Sequence, residues 1–142
     1  TAIDKGETWD IHPPHKRIIG QRMALAARHT AYGESMVFSG PVLAGCCIDR
    51  NHALLYFDSL GSGLASRDGN PLKGFTVFDG RQTWPAEAKI EGNTVMIQCP
   101  DAVEIRAVRY AWESNPLEAN LINKEGLPAP PFDTRLSLPA LF

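Results

Sequence analysis

Residues 84–98 read Trp84-Pro85-Ala86-Glu87-Ala88-Lys89-Ile90-Glu91-Gly92-Asn93-Thr94-Val95-Met96-Ile97-Gln98. Apolar and charged side chains alternate on the way in, Glu91-Gly92-Asn93 is a turn signal, and Thr94–Gln98 returns with the same alternation. A period of two puts one face of each arm toward a core and the other toward water. The stretch therefore predicts two antiparallel strands, over 84–90 and 94–98.

The pattern extends in both directions. Met36-Val37-Phe38 and Val42-Leu43 flank a break at Gly40-Pro41, and Ala53–Phe57 forms a further short run. Phe75–Phe78 follows a turn at Asp68-Gly69-Asn70-Pro71, and Ile105–Trp112 alternates with Arg106 and Arg109 among apolar residues. Several short strands at this spacing predict a mainly β chain, an antiparallel β-sandwich or jelly-roll-like unit. Residues 113–142 are rich in Pro, Asn and Leu and show little periodicity.

One helix precedes the strands. Pro13 and Pro14 suit a first turn, whose N–H groups have no partner to lose. Ile19, Met23 and Ala27 then recur every four residues, with Ile18 and Leu25 on the same side. Gly33 is the expected stop. The spacing predicts a helix over 14–33, with Lys16, Arg17, Arg22 and Arg28 mostly on a solvated face.

Composition narrows the function classes. The chain has 142 residues, a formal net charge of -2, 44% hydrophobic and 21% charged residues. That fits a globular chain and gives no reason to expect nucleic acid or an anionic membrane surface as partner. No apolar run approaches the roughly 20 residues that span a bilayer. The opening Thr1-Ala2-Ile3-Asp4 has neither an initiator Met nor the features of a signal peptide, and reads as the start of a cut chain. Cys46, Cys47 and Cys99 are odd in number and lack zinc-site spacing, so buried free thiols on strands are expected.

The chemistry-bearing stretch is Asp10-Ile11-His12-Pro13-Pro14. A histidine just before a helix start sits at the positive end of the dipole, which favours the neutral imidazole a general base must be. A carboxylate two residues away has the reach to bond the second ring nitrogen, fixing the tautomer and stabilising the imidazolium. The plainer alternative makes Asp10 a helix N-cap and His12 an ordinary loop residue. His12 and His15 lie three apart, but the prolines between them and the missing third ligand argue against a metal, and no cofactor is expected. His29 and His52 read as surface or packing residues. Trp84 and Trp112 read as core or rim packing, and Trp9 is the aromatic beside the candidate base.

Asp10-Ile11-His12-Pro13, followed by Lys16, Gly20, Arg22, Leu25 and Ala26-Ala27, resembles the histidine block of the sialate O-acetylesterases, SGNH-type hydrolases. The resemblance continues through Ala31-Tyr32-Gly33, Ser39-Gly40-Pro41, Gly61-Ser62-Gly63-Leu64 and Asp68–Phe75. Ala88–Gly92, Val108–Trp112, Asn115-Pro116, Asn120–Asn123 and Gly126–Phe132 complete it over nearly the whole chain.

This resemblance implies that residues 1–34 end an SGNH α/β hydrolase domain, carrying the catalytic His12 loop and its last helix. Residues 35–142 would be a β-rich C-terminal domain with a Pro-rich tail. The nucleophilic serine and the oxyanion-hole Gly and Asn would lie upstream, so the N-terminal part of the same enzyme and an acetylated sugar are the implied partners. A secreted, periplasmic or lysosome-like setting is implied too.

The general SGNH pattern places its Asp three residues before the histidine, where this chain has Trp9. Asp10 at minus two, Asp4 and an upstream carboxylate therefore all stand as candidates for the orienting acid. Phe57-Asp58-Ser59-Leu60 imitates the Gly-Asp-Ser-Leu signature but lacks its glycine and follows the histidine. Gly61-Ser62-Gly63 is not preceded directly by a buried strand, as a nucleophile elbow requires. The competing class is a non-catalytic β-sandwich module that holds a glycan or docks another domain.

Overall fold

The computed structural model describes residues 1–10, 12 and 14–137. A 3₁₀ turn at Ile3–Lys5 leads to helix α1, Lys16–Tyr32. Ten strands follow: β1 Val42–Asp49, β2 His52–Asp58, β3 Leu64–Ser66, β4 Phe75–Phe78 and β5 Thr83–Pro85. Then come β6 Glu87–Glu91, β7 Thr94–Gln98, β8 Ala107–Tyr110, β9 Leu121–Asn123 and β10 Phe132–Asp133, with a last turn of helix, α2, at Thr134–Ser137. The expected mainly β, antiparallel class is what the chain forms. No helix among the described residues is long and apolar enough to cross a membrane.

Two four-stranded antiparallel sheets carry the structure, in the orders β1-β2-β7-β6 and β10-β8-β4-β5, and β3 pairs with β9 beside them. Alternation decides which face each strand buries. Ala53, Leu55 and Phe57 of β2 and Val95 and Ile97 of β7 point inward from the first sheet. Phe75 and Val77 of β4 and Val108 and Tyr110 of β8 come from the second, and all join one cluster. Aromatic rings tie the sheets together: Phe132 lies 6.1 Å from Phe57, 6.3 Å from Phe75 and 5.6 Å from Tyr110. Each such large side chain withdrawn from water contributes roughly 1.5–3 kcal/mol.

The β6–β7 hairpin matches its sequence pattern, with Glu91 opposite Thr94 and Ile90 opposite Val95. Gly92 supplies a φ of 61° at the first central position, which the favoured two-residue hairpin turns need. The strand expected over 84–90 is divided. Thr83–Pro85 runs beside β4 at the edge of one sheet, where proline's missing N–H is tolerated, and Glu87–Glu91 pairs with β7 in the other. Ala86 is the crossing point, its N–H held by the Phe75 carbonyl at 3.2 Å.

Met36-Val37-Phe38 forms no strand. Phe38 stacks on His29 of α1 at 3.9 Å instead. Gly40 then passes so close to Pro128 that a Cβ would stand 2.1 Å from its carbonyl oxygen, so only glycine fits. The cysteines also depart from expectation: Cys99 is buried, Cys46 half-buried and Cys47 exposed, because neighbours on β1 face opposite ways. Burial pushes the Cys46 thiol up to about 11.

Residues 113–137, unpatterned in sequence, are held by buried polar side chains. Asn120 is 1% exposed. Its amide donates to the Pro71 carbonyl (3.0 Å) and to Asp68 (2.9 Å), while its oxygen accepts the Lys73 N–H (2.8 Å). Asn123 donates to the Ser39 carbonyl and accepts from the Leu127 N–H. The Asp133 carboxylate, 1% exposed, accepts from Arg109 at 2.7 Å and from Arg135 at 2.7 and 3.0 Å.

Replacing Asn120 with Ala orphans the Lys73 N–H and the Pro71 carbonyl, and should lower unfolding stability by about 1–3 kcal/mol in urea titration. A second expectation concerns pH. The Arg135 hydrogen bonds, with help from Arg109, outweigh burial and hold the Asp133 carboxyl well below the usual carboxylate range. A carboxyl depressed on folding stabilises above its unfolded pKa, about 3.9, and that stabilisation drains as pH falls toward the folded value. The Tm gap between the native protein and Asp133→Asn should be full above about pH 4 and shrink below it.

Candidate functional site

The candidate base lies on the segment that precedes α1. His12 is exposed to solvent. The Asp10 carboxylate accepts a hydrogen bond from the His12 backbone N–H at 2.7 Å. An Asp side chain that bonds the N–H two residues on closes an Asx turn. Asp10 thus shapes the backbone at His12, and its bond runs to the main chain, not to the imidazole.

Helix α1 begins later than its sequence implies. Lys16 is the first helical residue and His15 the N-cap, with no side-chain capping bond. Pro14 stands outside the helix, and Pro13 lies outside the described residues, as does Ile11. His12 is therefore four residues before the helix. The far end behaves as expected: Gly33 takes φ 68° and donates its N–H to the His29 carbonyl.

The helix has no buried residue. Met23 is 67% exposed and Ala27 is also exposed, so the expected Ile19-Met23-Ala27 stripe is not the packed side. The half-buried residues are Ile18, Ile19, Arg22, Leu25, Ala26 and His29. Arg22, expected on the solvated face, is the anchor. Its guanidinium grips Asp4 through two bonds of 2.6 and 2.9 Å and adds one to the Thr1 carbonyl.

That grip occupies Asp4, one of the candidate orienting acids. Burial opposes its ionisation, but the Arg22 hydrogen bonds and charge together prevail and hold it below the usual carboxylate range. Asp4 is thereby a tether between the N-terminal segment and α1. A second tether lies further along, where Asn115 donates to the Thr8 hydroxyl over 3.4 Å. It fastens the segment leading to His12 against the loop after β8.

That loop is the part of the surroundings that sequence reading passed over. Ala111 has φ 51°, a left-handed conformation uncommon outside glycine, fixed by its N–H bond to the Gly74 carbonyl at 2.9 Å. The chain turns out of the sheet there, so Trp112 lies off β8 and is 49% exposed, at the rim and not in the core. The available signal was the Trp112 to Pro116 stretch itself, where the strand pattern stops.

Other sequence candidates have structural partners. Ser62 donates its hydroxyl to Glu125 at 2.6 Å, and Ser59 sits in a turn at φ 56°. Trp84 packs on the core and donates its indole N–H to Asp79, whose carboxyl is lowered to about 2 by that bond and by the Gln82 and Arg81 N–H groups. His29 is a packing residue, stacked on Phe38, with Nδ1 2.9 Å from the Glu34 carbonyl. Trp9, next to the His12 turn, is 97% exposed.

The comparisons with known proteins bear on this arrangement. A carbohydrate acetylesterase from Xanthomonas citri superposes with a TM-score of 0.89 at 45% identity, over 92% of this chain and 31% of that one. The sialate O-acetylesterase of Rattus norvegicus is 30% identical over 138 residues, 89% of this chain and 25% of the relative. The chain is thus similar to a segment of a sialate O-acetylesterase and of a carbohydrate acetylesterase. It spans about a quarter to a third of the length of these relatives. No protein-family model matches it. Both relatives are esterases by name.

The tether can be tested directly. Asp4→Asn should leave the sheet core cooperative but loosen the N-terminal segment. Amide exchange over residues 1–8 and α1 should accelerate about tenfold or more in hydrogen-exchange mass spectrometry, since one charge-assisted bond contributes about 1.5–3 kcal/mol.

Proposed function

We propose that this chain is the histidine-bearing part of a carbohydrate esterase that removes O-acetyl groups from sialic acid or a related sugar. The observation that carries the reading is the 45% identity to a carbohydrate acetylesterase over 92% of the chain. The likeness to a sialate O-acetylesterase and the Asp10–His12 block support it.

In this reading residues 1–34 complete a hydrolase domain whose remainder supplies the serine, and residues 35–142 form the β-rich domain that follows. The serine Oγ attacks the acetyl carbonyl while the His12 imidazole takes its proton. Donors from the upstream part hold the oxyanion. The tetrahedral adduct collapses, the bond from carbonyl carbon to sugar oxygen breaks, and His12 returns the proton to that oxygen. Water, deprotonated by His12, then attacks the acetyl-serine carbonyl, the bond to Oγ breaks as acetic acid forms, and His12 returns the proton to Oγ.

Asp10 is the orienting acid in this scheme. Its carboxylate is committed to the His12 N–H by one oxygen, Oδ1, which leaves Oδ2 for the ring. Without the upstream nucleophile the segment is inactive. Exposure of His12 is what a base requires when the hydroxyl it serves comes from another part of the protein.

The test uses the protein with its serine-bearing part present. His12→Ala should cut acetate release from an acetylated sugar at least about a thousandfold, because the base acts in both half-reactions. Turnover equal to that of the unsubstituted protein would remove His12 from the mechanism.

A further inference from the structure

Two cavities meet on the loop after β8. One, of about 410 Å³, is bounded by Trp112, and the other, of about 390 Å³, by Ile3 and Gly6 of the N-terminal segment. They share Ala111, Glu113, Ser114 and Pro131, so together they make one groove from Trp112 to the strand of chain that leads to His12. Asn115 closes the far end by its bond to Thr8, four residues from His12. Four residues extend at most about 14 Å, so the groove and the imidazole lie within one oligosaccharide of each other.

We infer that this groove is a subsite for an uncharged sugar unit of the acetylated substrate, with Trp112 as its stacking platform. The inference rests on the esterase reading and adds to it the charge of the sugar. Three features carry it. The Trp112 ring is half exposed, held out of the sheet by the left-handed turn at Ala111. A non-glycine residue held there is strained, and such strain concentrates where a side chain must be aimed. Beside the ring stand Pro131, Glu113 and Ser114, an apolar floor with hydroxyl-pairing groups, as a sugar with one C–H face and a polar rim requires.

The third feature is charge. Among the described residues, the one ionisable side chain that the two cavities share is the exposed Glu113 carboxylate, and no Lys or Arg borders either cavity. A carboxylate accepts hydroxyl protons from a neutral sugar but repels the carboxylate of a sialate. The groove selects against an acidic sugar.

The full-length protein is assayed on a neutral acetylated oligosaccharide, an O-acetylated sialate and 4-nitrophenyl acetate. The unsubstituted protein should prefer the neutral sugar to the sialate. In Trp112→Ala, kcat/KM for the neutral sugar should fall about tenfold relative to that for the aryl ester, mainly through KM, and Trp112→Phe should restore most of it. Glu113→Gln should narrow the preference against sialate. A ratio untouched by Trp112→Ala, or a native preference for sialate, would overturn the subsite while leaving the esterase reading standing. Absence of hydrolysis of all three esters in the unsubstituted protein would overturn both.

Discussion

The last third of this chain folds without long ladders, and its backbone polar groups must still be satisfied inside the core. The Tyr110 hydroxyl accepts the Leu121 N–H at 2.9 Å, and Asn120 and Asn123 on either side bind four main-chain groups between them. Burial raises the Tyr110 hydroxyl to about 12, so it stays neutral at any physiological pH. A buried N–H without a partner costs about 1–3 kcal/mol, so this clamp decides whether residues 120–133 can enter the core at all. Once they do, Phe132 reaches Phe57 and Tyr110 and closes the space between the sheets.

The clamp explains a motif that looks functional. Asn120-Leu121-Ile122-Asn123 carries the polar residues one would test for catalysis, yet both amides are spent on turns from other parts of the chain. The same holds for Asp68, which accepts from Asn70, Ser66 and Asn120 together and is held far below the usual carboxylate range. These polar side chains therefore serve the scaffold. On the proposed reading the chemistry-bearing residues lie elsewhere, on the exposed N-terminal segment.

Legibility followed periodicity. The β6–β7 hairpin and α1 were visible because each repeats its pattern over ten or more residues, with Gly92 marking the hairpin's turn and Gly33 the helix's end. β3, β9 and β10 have three residues or fewer. No period can be seen in so short a run, and distant side chains, not local propensity, select those strands. The division at Ala86 was hidden for a related reason: alternation continues across it while the partner strand changes. At the candidate site, the Asp10–His12 block was singled out through family likeness. The role of Arg22 was not, because an arginine on a helix carries no mark of the carboxylate it will meet.

These two halves differ in how firmly they are held. The sheets share a continuous apolar core, whereas α1 and the segment before it are fastened by the Asp4–Arg22 pair, the His29–Phe38 stack and the Asn115–Thr8 bond. A helix of 17 residues with no buried side chain gains little from packing, which is the usual source of helical stability. On the proposed reading, Met23 and Tyr32 on its open side are covered by the part of the hydrolase that brings the serine. Docking would then order the helix and the His12 turn in one step. The general base would reach its working position only when its nucleophile is present. On that reading, fastening by a few polar contacts serves a division of labour: a base rigidly placed by the sheet could not adjust to a hydroxyl that arrives on another surface.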